Sequence, residues 1–270
     1  MTESAYQSYE YTLPLMRHHY GDHVRLLADP VLLTQLARLC QPEVVQPDVT
    51  WLVRDLYETL VRLVIARELP RAPVEIATRM QEFTPRGYWA GSILHPDTRV
   101  VTVDIARAGT LPSQIAFEAL TRLLNPNHVR QDHLYMNRVT DDDGAVTGVS
   151  MTGSKIGGDV RDAIVLMPDP MGATGGSMSR AVSMYKDMEG GDTAKIVSLN
   201  LIVTPEFIRR MRADHPDVMI YAIRLDRGMS DEAVLAMELG KSDDERGLNE
   251  YQYIVPGAGG LGEILNNSYV

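Results

Sequence analysis

An α/β fold with a mostly parallel central sheet flanked by helices is what this sequence predicts, and three observations predict it. Three apolar segments rich in β-branched residues, Ala163–Met167 (AIVLM), Lys195–Val203 (KIVSLNLIV) and Val218–Leu225 (VMIYAIRL), read as buried strands. The two stretches between them, Ser177–Met188 and Glu206–Ala213, carry helical spacing, so the order is βαβαβ. The length of 270 residues is comfortable for a single α/β domain.

Each element follows from local chemistry. Residues 1–20 are rich in Tyr and His without a period and read as an N-terminal arm, with the domain proper over 21–270. Val49–Glu68 places Leu52, Leu56, Leu60, Leu63 and Val64 on one face and predicts a long helix. Val100–Ile105 (VVTVDI) is a further strand. The strand ending at Met167 is stopped by Pro168-Asp169-Pro170. Thr204-Pro205-Glu206 reads as an N-cap, a first-turn proline and a first-turn acid, and the helix stops near His215-Pro216. Farther on, Ser230-Asp231-Glu232 predicts another cap, Ala233–Leu239 (AVLAMEL) a short helix, and Gly240 its end.

Composition limits the function. With 26 Lys+Arg against 36 Asp+Glu the formal net charge is −10, which argues against nucleic acid or a membrane surface as partner. The hydrophobic share of 44% supports a real core and excludes disorder along the whole chain. Cys40 is the only cysteine, so neither an intramolecular disulfide nor a cysteine-based zinc site is available. No apolar run approaches a membrane span, and MTESAYQSYEYT lacks the features of a signal peptide. A cytoplasmic location is the expectation.

The segment that carries chemistry is Asp169 to Ser177, DPMGATGGS, between a strand and a helix. Its small residues let backbone approach a ligand closely. The N–H groups of Ala173, Thr174, Gly175, Gly176 and Ser177 are expected to converge where the helix dipole favours an anion. No G-K-[ST] follows, so this is not a Walker loop. Asp169 lies at the carboxyl end of a strand, where open α/β sheets bind ligands. Other conspicuous residues are read as ordinary. His18, His19 and His23 lack a carboxylate at ligand spacing, so no resident metal is expected. Asp141-Asp142-Asp143-Gly144 lacks the calcium-loop Glu and reads as a polar loop tip, and Cys40 as a small core residue.

Asp169–Ser177 resembles the phosphoribosyl-diphosphate-binding stretch of uracil phosphoribosyltransferases, D-P-M-L-A-T-G-G-S, with Gly172 in place of Leu. Arg107-Ala108-Gly109 resembles the family's R-A-G diphosphate loop. Leu201–Glu206 is similar to its L-V-A-A-P-E, His215–Val218 to its H-P-D-V, and Tyr253–Gly257 to its Y-I-V-P-G. The resemblance covers roughly residues 23–270 and is dense from Arg99 onward. It implies a type I phosphoribosyltransferase fold with a small C-terminal base-binding hood. It also implies transfer of a ribose 5-phosphate group from phosphoribosyl diphosphate to uracil, giving UMP and diphosphate in pyrimidine salvage, by a homodimer or higher homo-oligomer.

Carried over residue by residue, the resemblance assigns catalysis to Arg107, Asp169, Lys155 and Arg138. Phosphoribosyl diphosphate falls to Arg107 and to Asp169, Pro170, Met171, Gly172 and Ala173 through Ser177. Uracil falls to Tyr253, Ile254, Gly259, Gly260 and Leu261. Magnesium (Mg2+) is expected to arrive with the diphosphate. Three departures stand out. The family's G-D-A-G-D is Gly259-Gly260-Leu261-Gly262-Glu263, so its first Asp is Gly260. Its Y-R-N is Tyr135-Met136-Asn137, leaving Arg138 as the substitute. Residues 227–246 are extra, and they are expected to form a lid or partner surface beside the uracil site. The alternatives are a phosphoribosyltransferase for another nucleobase and a non-catalytic paralogue that binds UMP or phosphoribosyl diphosphate.

Overall fold

A computed structural model of the chain describes residues 5–140 and 146–268, and for 137–140 and 146–149 it describes backbone alone. In chain order the elements are β1 (Val24–Leu26), α1 (Pro30–Leu39), α2 (Asp48–Glu68), β2 (Arg71–Ala77), β3 (Tyr88–Leu94), β4 (Val100–Ala106) and α3 (Thr110–Leu123). There follow β5 (Val129–Thr140), β6 (Val146–Lys155), β7 (Ile164–Pro168), β8 (Met171–Gly172) and α4 (Gly176–Asp187). The last are β9 (Lys195–Val203), α5 (Pro205–Asp214), β10 (Met219–Leu225), α6 (Glu232–Leu235) and α7 (Leu261–Ile264).

The main sheet runs β1-β10-β9-β7-β4-β5-β6, with β8 paired to β9. Every pairing is parallel except β5 with β6. The expected mixed α/β architecture is therefore present. Two apolar layers cover its faces. Leu52, Leu56, Leu60 and Val64 of α2 join Leu199, Leu201 and Tyr221 in one layer. Met178 and Val182 of α4 join Phe207 and Met211 of α5 in the other. Buried strands exposed to helices on both faces read as continuous apolar runs, which is why β7, β9 and β10 stood out in the sequence.

Caps set where helices begin. The Asp29 carboxylate accepts from Val31 N and Leu32 N, at 2.8 and 3.1 Å, with Pro30 at the first position of α1. The Thr204 hydroxyl accepts from Phe207 N and opens α5 at Pro205, as its sequence predicts. Besides β1, α1 and α3, two features escaped the sequence. The hairpin β2–β3 forms a separate two-stranded sheet, half exposed on both faces and with Pro73 inside it. The long antiparallel pair β5–β6 extends the sheet at its edge, and the acidic tip 141–144 lies outside the described residues.

The arm lies along the body. Ser92 N donates to Tyr6 O, and Arg71 and Arg67 donate to Tyr9 O and Tyr11 O. His18 bonds Val24 O, whereas His19 pairs with Glu238 at 2.8 Å, so the two rings serve different neighbours. Among the described residues, no group of three His, Cys, Asp or Glu side chains is placed to hold a metal ion.

Segment 227–246 corrects one expectation. The helix expected over Ala233–Leu239 is a single turn, Glu232–Leu235. The Arg227 guanidinium donates to the carbonyls of Val234, Leu235 and Met237, at 3.3, 3.1 and 2.8 Å, where a further turn would need them. Ser230 caps nothing; its hydroxyl accepts from Arg246 N at 2.8 Å and closes the base of the segment. Glu245, fully buried, pairs with Arg227 at 2.5 Å, accepts from Gly240 N and from the Tyr20 hydroxyl, and so fastens the segment to residues 19–20.

Candidate active site at the carboxyl edge of the sheet

β4, β7 and β9 end at the same edge, and the loops that leave them are held against one another. Gly109 shows why the first loop reads Arg-Ala-Gly. A Cβ there would lie 2.8 Å from the Ile105 carbonyl oxygen and 3.0 Å from that of Pro168. The missing side chain lets the loop after β4 touch the end of β7, one residue before Asp169. Arg107 leaves this loop exposed, and its guanidinium donates to the Ser268 hydroxyl and carbonyl at 2.8 and 3.0 Å. The peptide bond before it is cis.

The second loop is fixed by buried polar groups of β9. Asn200 donates to the Asp169 carbonyl at 2.6 Å and accepts from Ser198 at 2.7 Å. The Asp169 carboxylate accepts from Met171 N at 3.3 Å, a tight local turn. Thr204 donates its hydroxyl to the Ala173 carbonyl at 2.6 Å and its N–H to the Gly172 carbonyl at 3.0 Å. Beneath them the wholly buried Tyr57 hydroxyl donates to Leu199 O; burial, and then the nearby Asp169 charge, push its pKa up. These polar groups had a signal, since Ser198 and Asn200 interrupt an otherwise apolar strand.

Gly172, where the family pattern has Leu, now has a reason. A Cβ there would meet Val203 at 2.9 Å and the Phe207 ring at 3.0 Å, so the ring already fills that space. Gly175 is required by its own backbone, with φ +79 and Arg210 packed against it. One detail differs from expectation: Ala173 N–H turns inward to Met171 O at 3.0 Å. The donors left at the start of α4 are those of Thr174, Gly175 and Ser177, with Gly176 N held weakly by the Thr174 hydroxyl at 3.4 Å.

The third loop comes from the C-terminal segment. A short antiparallel bridge joins Leu248 to Ile254, and Gly228 N donates to Val255 O. Gly257 (φ +65) and Gly259 (φ +69) turn the chain into α7. That helix packs on the first loop, since a Cβ on Gly262 would lie 3.3 Å from the Ala108 methyl. Gln46 holds it from below through the Leu265 carbonyl at 2.9 Å. Ile254 and Leu261 are buried, whereas Tyr253 is half exposed. The space above Gly260 contains the Glu263 carboxylate, 2.6 Å from where a Cβ would stand.

Arg107, Asp169, Thr174–Ser177 and Gly259–Leu261 are thus carried on loops that meet. Lys155 is not drawn in with them. It is exposed at the end of β6, in register with His133, which pairs with the buried Asp104 at 2.8 Å. Arg138 lies on β5, and its side chain is outside the described residues. Met136 packs partly buried against the core.

Comparison with known proteins agrees with this picture. The family model for uracil phosphoribosyltransferase matches residues 26–246. A uracil phosphoribosyltransferase of Mycoplasma mycoides is 29% identical over 87% of this chain and 94% of its own length. One from Lactococcus lactis is 30% identical over 74% and 78%. One from Caldanaerobacter subterraneus is 37% identical, but over 41% of this chain and 42% of that protein, so the alignment spans less than half of that relative. A solved structure from Aquifex aeolicus superposes with a TM-score of 0.69 at 20% identity, covering 92% of this chain and 99% of that one, a likeness of fold. The chain belongs to the uracil phosphoribosyltransferase family.

Proposed function

We propose that the chain transfers the phosphoribosyl group of phosphoribosyl diphosphate to N1 of uracil, releasing diphosphate and forming UMP. The observation that carries this reading is the contact made by Gly109: it joins the Arg107 loop to the Asp169 loop, with α7 packed on Ala108. A leaving diphosphate, a ribose and a base thereby face protein groups of fitting chemistry at one edge.

In the reaction the C1′–oxygen bond to diphosphate breaks, the C1′–N1 bond forms, and the N1 proton passes to the departing diphosphate or to solvent. Positive charge grows on the ribose as the diphosphate departs. Arg107 meets the leaving oxygens with charge-assisted hydrogen bonds, replacing those it makes to Ser268. Asp169 faces the ribose and offsets its charge. The N–H groups and hydroxyls of Thr174–Ser177 bind the 5′-phosphate, and that binding holds C1′ in place. Pro170, Met171 and Gly172 shape the cradle from behind. Mg2+ enters as part of the diphosphate substrate, and the Asp169 and Glu263 carboxylates suit a hard cation. Glu263 supplies, one turn later, the carboxylate that Gly260 lacks, which favours catalysis over a purely regulatory role.

Uracil is read by backbone groups near Tyr253, Ile254 and Gly259–Leu261, whose donors and acceptors would be unsatisfied against cytosine. Lys155 and Arg138, on the paired strands β5 and β6, are the further cations proposed for the diphosphate. The lone thiol Cys40 suits a reducing cytoplasm. The exposed Ile76, Met80 and Phe83 of the β2–β3 hairpin favour a homodimer or larger homo-oligomer.

The test is direct. With Mg2+, phosphoribosyl diphosphate and uracil, the protein yields UMP and equimolar diphosphate, and Arg107→Ala suppresses both. Absence of UMP from the folded wild-type protein overturns the reading.

A further inference from the structure

Asp226 and Arg224 stand just past the end of β10 and within it, and nothing above gives them a role. Asp226 is 2% exposed. Its carboxylate accepts from Arg224 Nε at 2.6 Å and Nη2 at 2.8 Å, a bidentate pair. The same carboxylate accepts from Gly257 N at 2.8 Å, while Arg224 Nη2 donates to the Gly257 carbonyl at 3.2 Å. Both polar backbone groups of one glycine are therefore held by two side chains from another part of the chain. Asp226 N also donates to Val203 O at 2.9 Å, which ties the pair to the end of β9.

Gly257 is a sensitive place to hold. Its φ of +65 lies in the left-handed region, and a Cβ there would lie 2.2 Å from the Ile254 carbonyl oxygen. The segment on either side, Ile254 and Gly259–Leu261, is where backbone groups face the base. Side-chain identity cannot tune a backbone donor or acceptor; only its position can be set. A buried carboxylate held by a half-buried guanidinium does this well, because the planar fork is already organised and the carboxylate cannot lose it without being left unpaired.

We propose that Asp226 and Arg224 are positioning residues that set the affinity for the nucleobase, by fixing the Gly257 peptide between the two base-reading turns. This rests on the proposed reading that a base binds there. It goes further in naming two side chains that never touch the base and yet decide how well it is held. Among the described residues the hydrogen bonds of this pair run to Gly257, Val203 and Cys40 and not to Thr174–Ser177, so ligands that lack a base should not sense it.

Calorimetric titration with UMP and with ribose 5-phosphate separates the possibilities. Wild-type protein is expected to bind UMP more tightly than ribose 5-phosphate. Asp226→Asn should weaken UMP at least about tenfold while ribose 5-phosphate stays within twofold. Arg224→Lys, which keeps the charge and loses the fork, should lie between. Hydrogen exchange at the Gly257 amide should quicken in Asp226→Asn. A folded Asp226→Asn with unchanged UMP affinity overturns the inference, as does equal weakening of both ligands. If the wild-type protein binds UMP no better than ribose 5-phosphate, it is the proposed function that fails. Should Asp226→Asn not fold, Arg224→Lys decides on the same two ligands.

Discussion

The phosphate cradle and the C-terminal hood are built by different means. Cradle residues 169–177 are held from one place, the junction of β9 and α5, by Asn200, Thr204 and Phe207. The hood is held from several places. Gly257 depends on Arg224 and Asp226, α7 on Gln46, and the segment 227–246 on Tyr20. Support gathered from one place keeps a motif legible along the chain, while support scattered over several elements leaves the turn at Gly260 free to depart from G-D-A-G-D. The cradle matches its family pattern nearly residue for residue; the hood departs from it at Gly260.

The largest expected effect tests the cradle side. Arg107→Ala and Asp169→Asn should each lower kcat/KM by about a hundredfold or more, as groups that offset developing charge do. Their melting temperatures should stay close to wild type, since Arg107 is exposed. Loss of folding together with full activity in the folded remainder would make either residue structural.

A second effect, in stability, breaks the hood. Glu245→Gln leaves Arg227 buried without its countercharge and should cost about 3–5 kcal/mol by denaturant unfolding. Arg227 would then release the carbonyls of Val234, Leu235 and Met237. Affinity for phosphoribosyl diphosphate should be unchanged in the protein that remains folded; a parallel loss would join the two regions into one unit.

Next in size is the exchange between Gly172 and Phe207. Gly172→Leu alone should lower stability by about 1–3 kcal/mol through overpacking against the ring. Adding Phe207→Ala should recover part of that loss, giving a favourable coupling in a double-mutant cycle. Strict additivity would mean that the two positions do not share the space.

The smallest effect concerns Asp214 of α5, whose carboxyl is kept below the ordinary carboxylate range by the Ser179 hydroxyl and Arg210. A depressed pKa in the folded state stabilises above the unfolded pKa and ceases to as pH falls through the folded one. Ser179→Ala should therefore raise the Asp214 pKa toward its usual value, read by carboxyl NMR, with kinetics at neutral pH unchanged.

Particular residues show what the sequence made legible. Lys195–Val203 is a strand to the residue, because an apolar run buried on both faces ends at a proline-led helix. Thr204 was legible as a cap, yet its bond to Ala173 O was not, because that bond crosses 31 residues of chain. The β2–β3 hairpin was hidden because neither face is consistently buried, so no alternation marks it. Ala233–Leu239 looked helical by propensity, and tertiary bonds from Arg227 shortened it to one turn. Gly260 read as a lost carboxylate, and only folding brings Glu263 back over it.

Amide hydrogen exchange with two ligands tests the division between cradle and hood most directly. Phosphoribosyl diphosphate with Mg2+ should slow exchange at residues 174–177 and leave 254–257 at the rate of the free protein. UMP should slow both segments. Slowing of 254–257 by phosphoribosyl diphosphate alone, or of neither segment by UMP, would contradict the account.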